Sequence, residues 1–217
     1  MSEIRLIRQR IEHEVFDYHL LLSVLSDYSK PRDKITRLLA DGDIVRIKKG
    51  LYCFGEALRR EPICREYLAN LILGPSYVSL EYALSFHGLI PERVEQLTSV
   101  TTQRSRAFTT PLGHFSYHTL SNPRYAVGAC LETSGSVRFL MASPEKALVD
   151  KVWTDKRFSG RRASDYETYL LEDLRIDPEG LRSLDRARLC AVAGAYASPK
   201  INMLARFLDR LEDSRHA

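Results

Sequence analysis

Between Pro31 and Phe54 the sequence sets a helix start, a helix stop and two β-rich runs in one short block. Proline fixes φ and has no N–H to lose in a first turn, so Pro31 suits a helix start. Ile35, Leu38 and Leu39 then recur at helical spacing, and Asp41-Gly42 supplies a glycine stop. Ile44-Val45-Arg46-Ile47 and Leu51-Tyr52-Cys53-Phe54 follow, separated only by Lys48-Lys49-Gly50. Gly50 offers the positive φ that a three-residue hairpin turn needs. A helix tied this closely to a hairpin has few ways to bury its apolar stripe except against that hairpin.

Upstream, Ile4, Ile7 and Ile11 predict a short amphipathic helix over about 4–12. A second helix starts at Asp17, a good N-cap, with Phe16 placed to staple onto Leu21. Leu20, Leu21, Val24 and Leu25 form its stripe, and Tyr28-Ser29-Lys30-Pro31 ends it. Helix, helix, short turn, helix and a hairpin with a cationic tip is the order of a winged helix-turn-helix. The sequence therefore predicts such a domain over 1–57, a soft linker from Gly55 to Pro62, and a second domain over 58–217.

Charge sharpens that expectation. The 217 residues carry a formal net charge of +4. Residues 30 to 60 alone hold nine bases against four acids, while the segments on either side are close to balanced. At 100° per residue, Asp33, Arg37 and Ala40 point away from the Ile35/Leu38 stripe, with Lys34 and Thr36 on the flanks. A helix of this width fits the major groove, and wing lysines reach flanking phosphates. Neutralising about five phosphates predicts a salt slope of about −4.5. The same face also suits a winged helix that only docks protein, and Asp33 counts against phosphate contact at its centre.

Residues 63 to 73 read as a helix stopped by Gly74-Pro75. Ser79 is placed to cap a helix running to Gly88. Leu97 to Thr102, Gly113 to Leu120 and Val137 to Ala142 are strand-like, with a loop from Gln103 to Pro111. Ser143-Pro144-Glu145 opens a strong helix whose apolar side is Ala147, Leu148, Val152 and Trp153. Helices over 165–174, 183–196 and 198–211 complete an α+β region with a small sheet and a helical C-terminus. Arg104 and Arg106, and Lys156, Arg157, Arg161 and Arg162 around Phe158-Ser159-Gly160, form a possible second basic surface. An exposed flexible loop is the plainer account of the latter group.

Several classes drop out. The apolar runs are no more than five residues long, far below the roughly 18 that span a bilayer. The start is studded with charge and lacks an apolar h-region, which predicts no secretory signal and a cytoplasmic location. Cys53, Cys64, Cys130 and Cys190 are scattered, as reduced thiols would be. The six histidines, among them His114, His118 and His216, make no HExxH, and no metal site or cofactor is expected. GxSxG, P-loop and GxGxxG patterns are absent, so an enzyme is not expected. Ser79, Glu81 and His87 are better read as a cap and a helix end than as catalytic groups.

In sum, PRDKITRLLADGDIVRIKKGLYCFG (31–55), YVSLEYALSFHGLIPE (77–92), LTSVTTQRSRAFTTPLGHFSYHTL (97–120) and ASPEKALVDKVW (142–153) resemble the AbiEi-type antitoxins. These are the transcriptional-regulator half of abortive-infection (type IV) toxin–antitoxin pairs. The resemblance fades after about residue 155. It implies that the N-terminal winged helix represses its own operon by binding an inverted repeat, as a dimer on double-stranded DNA. It implies that the C-terminal domain neutralises a co-encoded nucleotidyltransferase toxin without a stable complex. The positions that match the DNA-binding element are Lys30, Arg32, Lys34, Thr36, Arg37, Arg46, Lys48 and Lys49. The resemblance brings no catalytic residue. A stand-alone winged-helix regulator, or a protein- or RNA-interaction module, would share these features.

Overall fold

The computed structural model of the chain describes residues 3–213. Met1, Ser2 and His216, which enter the sequence reading, lie outside them. The fold is mixed α+β, and no helix among the described residues is long and apolar enough to cross a membrane.

The N-terminal part runs α1 (Glu3–Arg10), β1 (Val15–Asp17), α2 (Tyr18–Val24), α3 (Pro31–Ala40), β2 (Ile44–Lys48) and β3 (Leu51–Phe54). Pro31 stands in the first turn of α3, and Gly42 follows it at φ +74. Asp17 caps α2 by accepting from the Leu20 amide at 2.8 Å. The residues just before it form β1, a strand the sequence did not announce, which pairs antiparallel with β3. The resulting three-stranded sheet, in order β1-β3-β2, has β3 at its centre.

All four residues of β3 are buried because both faces of this sheet are covered. Phe16, Ile44, Tyr52 and Phe54 pack on the helices, with Leu21, Leu25, Ile35 and Leu38. Val15, Ile47, Leu51 and Cys53 face the other way and join the large core of the rest of the chain. The boundary expected near residue 58 is therefore a boundary in sequence across which the hydrophobic packing is continuous.

The remaining chain begins with α4 (Arg65–Ile72), β4 (Ser76–Val78), α5 (Leu80–Phe86), β5 (Leu97–Thr101), β6 (Arg106–Thr110) and β7 (Gly113–Thr119). It continues with α6 (Asn122–Tyr125), β8 (Ala129–Ser134), β9 (Val137–Ala142) and α7 (Pro144–Thr154). Five of these strands and β4 make a mixed six-stranded sheet, order β6-β7-β5-β4-β9-β8, in which the β5/β7 and β4/β9 pairs are parallel. The segment read as a loop from Gln103 to Pro111 contains the edge strand β6, stabilised by antiparallel pairing with β7. Then α8 (Ala163–Glu167), continued by a π-helical turn (Thr168–Asp173), α9 (Pro178–Arg182), α10 (Arg186–Tyr196) and α11 (Pro199–Asp213) form the helical end.

Candidate nucleic-acid interface

In α3 the amphipathic division is clean. Ile35 and Leu38 are buried, and Arg32, Asp33, Thr36, Arg37 and Ala40 are exposed. The Thr36 hydroxyl donates to the Arg32 carbonyl at 3.1 Å, a local bond that leaves its lone pairs outward. Lys30, just before the helix, is exposed. Lys34 is half-buried, with its ammonium 5.6 Å from the Tyr28 ring centroid. Arg46 is exposed and stands opposite Tyr52, so it emerges on the helix-bearing face of the sheet. Lys49 is exposed at the hairpin turn.

Lys48 departs from expectation. A register shift between Arg46 and Lys48 turns its side chain to the opposite face of the sheet. There its ammonium donates to the Ile72 carbonyl at the end of α4, and burial lowers its pKa. The carbonyls of a helix's last turn lack intrahelical partners, which makes them natural acceptors for a cation. Lys48 is thus a tether between the hairpin and α4, not a solvent-facing wing lysine.

Two more bases of the cationic segment bond backbone carbonyls, Arg59 half-buried and Arg60 still exposed. Arg59 donates to the Phe54 carbonyl and Arg60 to the Arg8 carbonyl. Arg8, on α1, is itself buried and pairs with buried Glu14. The charge available on the exposed face is correspondingly smaller than the count in the sequence.

Arg104 and Arg106 are exposed at the edge of the large sheet, and Lys156, Arg157, Arg161 and Arg162 are exposed beyond α7. The loop that carries these last four is anchored. Phe158 stacks on Tyr169 with centroids 4.0 Å apart, and the Lys200 ammonium lies 5.1 Å from the Phe158 ring centroid. Gly160 presses against the Tyr166 ring, whose hydroxyl donates to the Gly160 carbonyl. Asp155 accepts from the Arg157 amide, and Asp165 from those of Arg161 and Arg162.

The sequence reading missed a buried polar cluster under the sheet. Lys146 and Asp150, one turn apart on α7, pair at 2.7 Å with both side chains fully enclosed. Lys146 also donates to the Arg124 carbonyl and the Tyr196 hydroxyl. Asp150 accepts from Tyr77, Ser79 and Tyr196. Burial raises the pKa of both tyrosines, Asp150 adding to the effect, and burial lowers that of Lys146. Ser79 stands at the N-cap position of α5, but its hydroxyl serves Asp150 and makes no cap bond. Leu80 follows at φ +60, an unusual conformation for a leucine. The i, i+4 spacing of Lys146 and Asp150 was the available signal. With no exposed surface, the pair positions elements and meets no ligand from solvent.

An open cleft of about 680 Å³ lies nearby, lined by Glu81, His118, Lys151 and Asp155. Lys151 pairs there with Glu81 at 2.7 Å and Asp155 at 3.4 Å, and Lys156 and Arg157 of the basic loop line the same cleft. Ser79, Glu81 and His87 do not converge, since the His87 ring bonds the Ala142 carbonyl. No protein-family model matches the chain, and no curated protein sequence is significantly similar to it.

Proposed function

We propose that residues 1–57 are a winged helix-turn-helix that binds operator DNA and that the protein is a transcriptional repressor of its own operon. The observation that carries this reading is the outer face of α3: Arg32, Thr36 and Arg37 exposed over buried Ile35 and Leu38. Arg46, on the same side of the sheet, and Lys49 at the turn extend the cationic surface. Lys30 adds to it at the start of the helix. Lys48 does not belong to this surface, so about four phosphate contacts remain. The salt slope then becomes about −3.6, a loss of roughly 10² in affinity between 50 and 200 mM salt.

In this proposal the resemblance to AbiEi-type antitoxins supplies the biological setting. The operator is an inverted repeat bound by two copies, and the remainder of the chain counteracts a nucleotidyltransferase toxin without a stable complex. The protein acts as a cytoplasmic regulator, not as an enzyme.

The test is binding of the full chain to the DNA upstream of its own gene, measured at several salt concentrations. Sequence-selective binding, weakened by about 1–3 kcal/mol in Arg37→Ala, is expected if Arg37 reads a base. Sequence-blind micromolar binding that Arg37→Ala leaves unchanged defeats the operator reading. Co-expression with a nucleotidyltransferase encoded beside the gene tests the antitoxin role, and growth arrest unrelieved by this protein rules it out.

A further inference from the structure

The large sheet ends in a strand that is open on one side. Among the described residues β8 pairs with β9 alone, and no strand lies beyond it. Edge strands are commonly guarded by lysine, proline or a bulge, because their free backbone groups recruit another strand. β8 reads ACLETS, with no lysine or proline, and its six residues pair with β9 without a register shift.

The Asn70 side chain reveals which backbone groups of β8 are free. It donates to the Leu140 carbonyl and accepts from the Leu140 amide. Both groups of Leu140 thus point away from β8, so Leu131, its partner in the ladder, stands in a non-hydrogen-bonded pair. The Leu131 amide and carbonyl therefore point out of the sheet edge. By alternation so do those of Ala129 and Thr133. The Ala142 carbonyl, opposite Ala129, follows the same alternation, since it is bonded by the His87 ring and not by β8. All three outward residues are exposed. The turn after the strand is tied down by the Ser136 hydroxyl on Glu61, so the edge is presented ready formed.

This edge is complementary to itself. When two β8 strands pair antiparallel about Leu131, Leu131 meets its own copy and Ala129 meets Thr133, and every outward group finds a partner. A slip of two residues leaves one outward residue of each strand unmatched in β8. A slip of one sets outward groups against inward ones. In the matched register Glu132 falls opposite Cys130 of the other copy, so no acid directly faces an acid. Leu131 is 54% exposed and its ladder partner Leu140 is 40% exposed. Across the joint these two and their copies form one row of four leucines. The other edge strand, β6, carries exposed Arg106, and joining it to β8 of another copy is a head-to-tail contact without a two-fold axis.

We propose that two copies of this chain associate through β8 in this register, extending the large sheet across a two-fold axis at Leu131. A joint made of β8 and the Leu131–Leu140 pair of each copy covers less than about 1,200 Å² in total, the class of transient complexes, so monomer and dimer exchange. The proposal does not rest on the operator reading, and its test contains no DNA, so either can fail alone.

Sedimentation equilibrium of the full chain should show a monomer–dimer equilibrium with a Kd of about 0.1 mM. Leu131→Pro removes an outward N–H, a change that an edge strand tolerates, and should weaken association at least about tenfold. Leu131→Lys sets two like charges together at the axis, should weaken it as much, and carries the decision if the proline variant fails to fold. Glu132→Cys places a thiol opposite the native Cys130 of the second copy. Mild oxidation should then trap a disulfide-linked dimer that the further change Cys130→Ala abolishes. A chain still monomeric at about 1 mM overturns the proposal. So does association that neither Leu131 variant weakens, or the lack of a cross-link that depends on Cys130.

Discussion

The Lys48 ammonium donates to the Ile72 carbonyl, joining the hairpin to the last turn of α4. Its neighbour Lys49 faces solvent. Two adjacent lysines of the same turn therefore have separable roles. Lys48→Ala should destabilise the full chain by about 1–2 kcal/mol, the range for a hydrogen bond from a partly exposed charged donor. It should leave the salt dependence of DNA binding unchanged. Lys49→Ala should do the reverse, with stability kept and the salt slope flattened by about one. Urea unfolding and salt titration of both variants check this, and a flattened slope in Lys48→Ala would return that lysine to the proposed DNA surface.

The bounds of α3 and β9 were legible because local chemistry decides them. Pro31 and Gly42 punctuate the helix, and the strand-like stretch Val137–Ala142 stands between clear breakers. What Lys48, Ser79 and Phe158 do was not legible, because each answers to a partner far away in sequence: Ile72, Asp150 and Tyr169. The strands β1 and β6 were hidden for a related reason. Three residues that end on a helix cap, and an edge segment of exposed threonine and arginine, become strands only through pairing with β3 and β7. Of the candidate interface, the exposed face of α3 followed from periodicity, whereas the backbone partners of Arg59 and Arg60 could not.

The Lys146–Asp150 pair should be costly to break from one side. Asp150→Asn leaves the fully buried Lys146 ammonium without a counter-charge, a loss of about 3–5 kcal/mol. Lys146→Met combined with Asp150→Leu removes both charges and should cost less than the sum of the two single changes. The double variant still strands the hydroxyls of Tyr77 and Ser79, so full recovery is not expected. A double-mutant cycle in urea measures the coupling. Additive losses would show that the two groups do not act as a pair.

Two glycines at the ends of β3 should respond differently to alanine. Gly50 has φ +85 with open space around the position of a Cβ. Gly50→Ala pays only for the left-handed backbone, about 1–2 kcal/mol. Gly55 has an ordinary φ of −61, but a Cβ there would sit 2.0 Å from the Gly42 carbonyl oxygen. Backbone must move to admit it, and that backbone holds the end of α3 to the hairpin through the Gly55 amide and the Asp43 carbonyl. Gly55→Ala should cost about 3 kcal/mol, the upper end of ordinary overpacking, and weaken DNA binding more than Gly50→Ala does. Thermal unfolding with parallel DNA titrations decides it, and equal effects at the two positions would contradict the steric account.

His118 sets a pH dependence whose sign follows from its surroundings. It stands half-buried on β7, and burial lowers its pKa below the ordinary 6.5. Glu81 opposes that shift and Lys151 adds to it. The folded state therefore favours neutral imidazole. As pH falls below about 6.5 the unfolded chain takes up a proton that the folded chain resists, and stability declines, by at most about 1.4 kcal/mol per pH unit from this one group. Above that pH His118 contributes no slope. His118→Gln should flatten the fall in urea midpoint between about pH 7 and pH 5. Glu81→Gln should steepen it, because the acid that supports protonation is gone. If both variants keep the parent profile across this interval, the acid sensitivity belongs to other groups and the assigned environment of His118 is wrong.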